Sequence, residues 1–171
     1  MEFQELIRQR RSIRSFTGQP VEERKLSQIL EAVNRAPSAG NLQAYEVYVV
    51  RKPVDRAALA AAAWGQDFLK AAPVVLVFCT HPALCEWRYR ERGARLYSLQ
   101  DATIACTYAM LAVVDLGLAS VWVGAFQDDA VWKVIGSPAG RKPVAMLPVG
   151  YAAEAPQPAS RRSLKELAHE V

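Results

Sequence analysis

"LQDATIACTYAMLAVVDLGLASVWVGAF", residues 99–126, reads as a helix over its first two thirds and a strand after it. Leu99, Thr103, Cys106, Met110, Val113 and Leu116 recur at helical spacing, while Ala102, Ala105, Ala109 and Ala112 make a second face of smaller residues. A helix apolar on several sides is a buried one, either at the centre of a domain or in a subunit interface. Gly117 stands where such a helix closes in the left-handed conformation. "ASVWVGAF" (119–126) then predicts a strand and turn, in which Gly124 lets backbone approach a flat ligand and neighbouring amides donate to it.

Upstream, "APVVLVFCT" (72–80) is a continuous apolar run of the kind shown by a strand covered on both faces. "YEVYVV" (45–50) predicts another strand, and the Ala-rich "DRAALAAAAW" (55–64) a helix. In "VEERKLSQILEAVNRAPSAGN" (21–41), Leu26, Ile29, Leu30 and Val33 form one stripe, acids open the helix and Pro37 with Gly40 stops it. Phe3, Leu6 and Ile7 predict a short first helix. Downstream follow a short helix in "DDAVWKVIG" (128–136), with Asp at its start and Gly136 at its end, and a last strand in "KPVAMLPVGY" (142–151). A Pro-rich loop over 155–160 and a final amphipathic helix, "SLKELAHEV" (163–171), complete an α+β domain spanning residues 1–171.

The 171 residues suffice for one core without disulfides, and 51% apolar with 22% charged residues is a globular composition. The net charge of +4 is spread along the chain, which suits an anionic ligand and falls short of a nucleic-acid-binding surface. No apolar stretch is long enough to span or enter a membrane. Three cysteines, Cys79, Cys85 and Cys106, with no signal peptide, point to reduced thiols in the cytoplasm.

Two further segments carry candidate chemistry. In "RRSIRSF" (10–16), an extended backbone would turn Arg10, Ser12 and Arg14 the same way, offering forked donors and a hydroxyl to a phosphate; a solvated connector has the same composition. "APSAGNLQ" (36–43) supplies exposed backbone amides and the side-chain amides of Asn41 and Gln43, suited to the polar edge of a heteroaromatic ring, or to an ordinary turn.

In this order and spacing, "RRSIRSF", "APSAGNLQ", "APVVLVFC", the 99–126 run and "VAMLPVGY" leading to "SRRSLKEL" resemble the FMN-dependent nitroreductase family over nearly the whole chain. The resemblance implies a three-layer α-β-α fold with a mostly antiparallel central sheet. It also implies an intertwined homodimer with FMN at two interfacial sites, the 99–116 helix forming the dimer core. By position, Arg10, Arg11, Ser12 and Arg14 inherit contacts to the flavin phosphate and ring, with Arg161 or Arg162 closing on the phosphate. Pro37, Ser38 and Ala39 would pack on the flavin from the partner subunit, Asn41, Gln43 and Gln66 would lie at its polar edge, and amides around Val123, Gly124 and Ala125 would face N5. The implied activity is transfer of hydride from NADH or NADPH through FMN to an oxidised small molecule such as a nitroaromatic or quinone, with no side-chain nucleophile or base. Ala44-Tyr45 departs from the Pro-Trp pair common in the family.

Other readings attach to the same residues. The protein could carry or sense FMN without turnover, or act as a flavin-dependent dehydrogenase or dehalogenase of the same fold. Cys79, His81 and Cys85 could ligate zinc, although a fourth ligand is missing nearby and strand alternation already accounts for Cys79 and His81. "CEWRYRERGARLYSLQ" (85–100) interleaves aromatics with arginines in a way that superficially suits single-stranded nucleic acid, but Glu86 and Glu91 dilute it. It reads either as a solvated helix or loop, or as a mobile cover shaping substrate choice. Cys106 is expected in the core and His169 on the surface.

Overall fold

Val74, Leu76 and Phe78 face one helical layer and Val75, Val77 and Cys79 the other, which is why β2 (Val74–Thr80) is apolar throughout and buried at every position. The computed structural model describes Met1–Val171. β1 (Tyr45–Val50) flanks β2 on one side and β4 (Lys142–Gly150) on the other, and the short β3 (Ala119–Ser120) borders β4, every ladder being antiparallel. On one face lie α2 (Glu23–Asn34) and α6 (Ser98–Asp115); on the other lie α3 (Pro53–Ala62), α4 (Phe68–Ala71) and α7 (Asp128–Val134). This is the expected three-layer α-β-α arrangement, shown for one copy of the chain. No helix is long and apolar enough to cross a membrane.

The inward face of α6 draws on both sequence stripes, the alanines Ala102, Ala105 and Ala109 together with Cys106 and Val113. Ala102, Ala105, Cys106, Ala109 and Val113 are fully buried, while Leu99 and Tyr108 are about two-fifths exposed at 41% and 38%. Alanines let the helix axis approach the sheet closely, while Leu99 and Tyr108 are left on the outer side and Met110 and Leu116 pack at the margin of the core. Gly117 follows the helix at φ 71°, as expected of its closing position.

Several elements differ from their sequence expectation. The strand in "ASVWVGAF" is only two residues long, with Val123 rejoining β4 at a single bridge to Met146. α7 is preceded by Gln127 rather than capped by an aspartate, so Asp128 and Asp129 bring charge to its first turn, and Asp128 also pairs with Lys142 at 3.3 Å. The last helix, α8 (Leu164–Leu167), is a single turn closed by a Ser163–Glu166 capping box, and nothing packs on it: Leu164 and Leu167 are 78% and 58% exposed. α1 (Phe3–Gln9) forms where expected, yet Phe3 and Ile7 stay exposed. The basic aromatic stretch is helical: α5 (Pro82–Arg92), broken at Arg90 by φ 53°, passes through a π-type turn at Gly93–Tyr97 directly into α6.

Edge strand β1 is tied across the sheet by charge. Glu46 accepts from Arg141 at 2.6 Å and from Tyr48 at 2.5 Å, with His81 Nδ1 3.1 Å away. The Arg141 hydrogen bond holds the Glu46 carboxyl down at about 2 from the usual 4.5 despite partial burial, while burial first and Arg141 second hold His81 below its usual value. Depressed values of both groups mean stabilisation that is present at neutral pH and lost on acidification. For Glu46 the loss runs from about pH 4.5 down towards 2. Thermal melts of the wild type and Glu46→Gln are therefore expected to differ most at pH 7 and to converge towards pH 3; a gap that stays constant would remove this pair from the acid response.

Candidate functional site

Arg10 ends α1, and the chain continues as an extended segment held on both sides. Ser12 bridges Ser120 in parallel, the Ile13 N–H donates to the Ser120 carbonyl at 3.0 Å, and Phe16 bridges Ala152. The Ala153 N–H donates to Ser15 O at 2.9 Å, and Glu154 Oε1 accepts from the N–H groups of Arg14 at 2.5 Å and Ser15 at 3.0 Å. Ile13 is buried, which leaves Ser12 and Arg14 facing outward as the alternation predicts.

Those outward residues form one wall of a cleft of about 620 Å³; the loop 156–159 and Arg161 form the other. Five arginines, Arg8, Arg10, Arg11, Arg14 and Arg161, line it without a carboxylate. Such a cluster repels itself: burial first, then Arg161 and Arg11, push the Arg10 guanidinium below its usual value. An anion with several oxygens relieves that repulsion and matches the forked donors.

The individual arginines differ in what they have left to give. Arg11 turns its guanidinium back onto the carbonyls of Arg8 and Arg10, closing the end of α1. Arg161 donates only to Ser160 O at 3.1 Å, which leaves most of its fork available, whereas Arg162 does not line the cleft.

The second predicted segment lies elsewhere on the single chain. Pro37, Ser38 and Ala39 line a separate concavity of about 560 Å³ with Tyr97 and Asp101 of the α5–α6 region. Gly40, Asn41 and Gln43 all take left-handed conformations, at φ 56°, 58° and 50°, and Ser38 Oγ accepts from the Gln43 N–H at 3.0 Å. Asn41 and Gln43 contact each other through their side-chain amides at 3.4 Å.

Gln66 is brought to the third segment, its Nε2 donating to the carbonyls of Ala63 and Ala125 at 3.1 Å each. Val123 is buried and exchanges both backbone hydrogen bonds with Met146 at 2.9 Å, so its amide is committed within the sheet. Gly124 and Ala125 are exposed, and Gly124 opens onto a third cavity of about 510 Å³. The predicted residues thus form three groups: the N-terminal arginines, Ser12 and Arg161 at one cleft, Pro37–Ala39 at a second concavity and Gly124 at a third.

Two acids escaped the sequence reading. Glu154 holds the arginine segment, and its only signal is an acid placed just beyond the last strand. Asp101, 2% exposed, accepts from the N–H groups of Ala39 and Ala44; its signal is a lone carboxylate on the alanine face of an otherwise apolar helix. Cys79, His81 and Cys85 are not gathered into a three-ligand group: His81 faces Glu46, and Cys85 Sγ lies 3.9 Å from Asp101. Burial pushes the Cys79 thiol up to about 12 and that of Cys106 above its usual value, so both are inert core residues.

The chain is similar to known proteins along nearly its whole length. It is 33% identical to a Thermus thermophilus protein named NADH dehydrogenase, over 92% of this chain and 90% of that protein. It is 34% identical to the Bacillus subtilis FMN reductase [NAD(P)H], over 70% of this chain and 52% of that one. Among solved structures, the Vibrio harveyi NADPH:FMN oxidoreductase complexed with NAD+ superposes with a TM-score of 0.89 at 25% identity, covering 97% of this chain and 75% of that one. A Streptococcus pneumoniae nitroreductase family protein shares the fold at a TM-score of 0.91 and 24% identity, covering 99% and 100%. The Nitroreductase family profile matches residues 7–66 and 56–151, and with relatives of this similarity the chain belongs to the nitroreductase family.

Proposed function

We propose that this chain is an FMN-dependent oxidoreductase that uses NADH or NADPH to reduce an oxidised small molecule, such as a nitroaromatic or a quinone. The observation that carries the reading is the cleft of five arginines without a carboxylate, whose donor set fits a flavin phosphate. The Bacillus subtilis and Vibrio harveyi relatives, named as flavin reductases, support the same reading.

In this reading FMN, when bound, would supply the redox chemistry linking the nucleotide to the oxidant in a ping-pong cycle. Arg10, Ser12 and Arg161 bind the phosphate, while Arg11 fixes the end of α1 behind them. Arg14, held through its backbone by Glu154, presents a fixed positive charge to the pyrimidine edge, where preorganised charge favours the reduced cofactor. Gly124 and Ala125 offer backbone amides to the ring, with Gln66 fixing the Ala125 carbonyl. Pro37–Ala39 line a concavity apart from the arginine cleft, and Asn41 and Gln43 belong to the same turn, so in this reading they come from a second copy in a homodimer. Three free, buried cysteines agree with a cytoplasmic setting.

An absorbance spectrum of the purified protein, repeated after anaerobic addition of NADH and of NADPH, tests the proposal. Flavin bands that bleach with either nucleotide are expected. Bands that resist both would favour an FMN carrier or sensor, and failure to bind added FMN would overturn the reading.

A further inference from the structure

We propose that Asp101 is a positioning residue for the cofactor-facing turn, its buried carboxylate locking residues 39–44, with the left-handed Gly40, Asn41 and Gln43, and coupling them to α5; this rests on the FMN reading. The turn cannot hold its own shape by regular hydrogen bonding. Within it, Asn41 and Leu42 donate to the carbonyls of Ser38 and Ala39, and Gln43 donates to Ser38 Oγ. The N–H groups at the two ends, Ala39 and Ala44, find their acceptor in Asp101, at 2.9 Å on Oδ1 and 3.3 Å on Oδ2. One carboxylate therefore staples both ends of a segment in which Gly40, Asn41 and Gln43 have positive φ.

Asp101 does this from the first turns of the rigid helix that packs on the sheet, and no basic side chain pairs with it. Its remaining contact is the buried Cys85 of α5, with Sγ 3.9 Å from Oδ2. α5 also covers the turn from the other side. A Cβ on Gly40 would stand 2.6 Å from the Tyr89 hydroxyl and 3.0 Å from Arg88 Nη1, which places the ends of these two side chains against the turn. The turn is thus gripped between Asp101 and the Arg88–Tyr89 pair, and the aromatic arginine segment is fastened to it.

The test compares Asp101→Asn with Val113→Ala in the full-length protein. Asparagine keeps the size of the side chain but turns an NH2 towards one of the two backbone donors, whereas Val113 is buried on the same helix without touching the turn. Three readouts are taken: amide hydrogen exchange of Ala39 and Ala44 in the apoprotein, the FMN dissociation constant, and the visible circular dichroism of bound flavin. Asp101→Asn is expected to speed exchange at both amides by tenfold or more, weaken FMN by about tenfold and alter the flavin dichroism. Val113→Ala is expected to lower Tm while leaving those amides and the flavin dichroism unchanged and the FMN constant within twofold. If Asp101→Asn merely lowers Tm, with exchange, affinity and dichroism as in the wild type, the proposal is overturned. Unchanged affinity and dichroism with faster exchange would also overturn it, reducing Asp101 to a local fold contact. Should the wild type bind no FMN, the functional reading falls on its own, and the exchange of Ala39 and Ala44 still decides whether Asp101 holds the turn.

Discussion

Replacing Arg10 and Arg161 together with alanine is expected to leave a protein that purifies colourless and binds FMN roughly 10²–10⁴-fold more weakly. Hydrogen bonds to charged groups contribute about 1.5–3 kcal/mol each, and every ~1.4 kcal/mol is tenfold in affinity. The two guanidiniums belong to one cluster that repels itself, with Arg161 contributing to the depressed value of Arg10. Removing one relieves strain on the other, so the single variants are expected to lose less than half of the double variant's effect in free energy. The same repulsion gives the opposite sign for the apoprotein, which is expected to melt at the same temperature as the wild-type apoprotein or higher. Titration of FMN into the refolded apoproteins, followed by flavin fluorescence, checks both signs. An affinity within threefold of the wild type would remove the cleft from the phosphate site.

Gly93→Ala is expected to cause the largest loss of stability from any single methyl group. The added Cβ would stand 2.6 Å from the Cys85 carbonyl oxygen and 2.7 Å from Tyr89 Cβ. Backbone cannot rotate away as a long side chain can, so α5 must shift off the start of α6. Overpacking of this kind costs about 1–3 kcal/mol and occasionally more, which for a chain of this length corresponds to roughly 2–4 °C in Tm per kcal/mol. Gly117→Ala is the control: its φ of 71° strains an alanine, but nothing lies within 4 Å of the new methyl. Equal melting temperatures for Gly93→Ala and the wild type would show that the π-type turn is not packed on α5 as these distances require.

The layers of the fold were legible because burial leaves a periodic trace. β2 had to be covered twice, since its apolar run lacks alternation, and α2 showed its inner stripe at Leu26, Ile29 and Val33. Periodicity counts apolar faces without saying which one points inward. That is why α6 shows a prominent Leu99–Met110 stripe while Ala102, Ala105 and Ala109 meet the sheet: close approach selects small residues over greasy ones. The arginine cleft was legible from alternation in a short extended segment, down to Ser12 and Arg14. Arg11 and Val123 were not separable from their neighbours, because their donors are spent on carbonyls that only the folded chain brings near. Asp101 and Glu154 bond to amides 57 to 62 and 139 to 140 residues away, and spacing along the sequence has no term for such pairs.

The arginine segment near the start of the chain has no partner near itself. Ser12 and Ile13 wait for Ser120, Ser15 waits for Ala153, and the cleft is walled by Arg161. On the ribosome Ser120 follows the end of α6 by five residues and precedes β4, while Ala153, Glu154 and Arg161 come only after that last strand, so residues 10–16 lack part of their bonding until then. The place where the arginines converge is therefore completed only by the meeting of early and late chain. Non-local closure of this kind is slow relative to local helix formation. During synthesis, the sheet gains its internal strand β4 and the arginine segment its last partners in the same late stretch of chain.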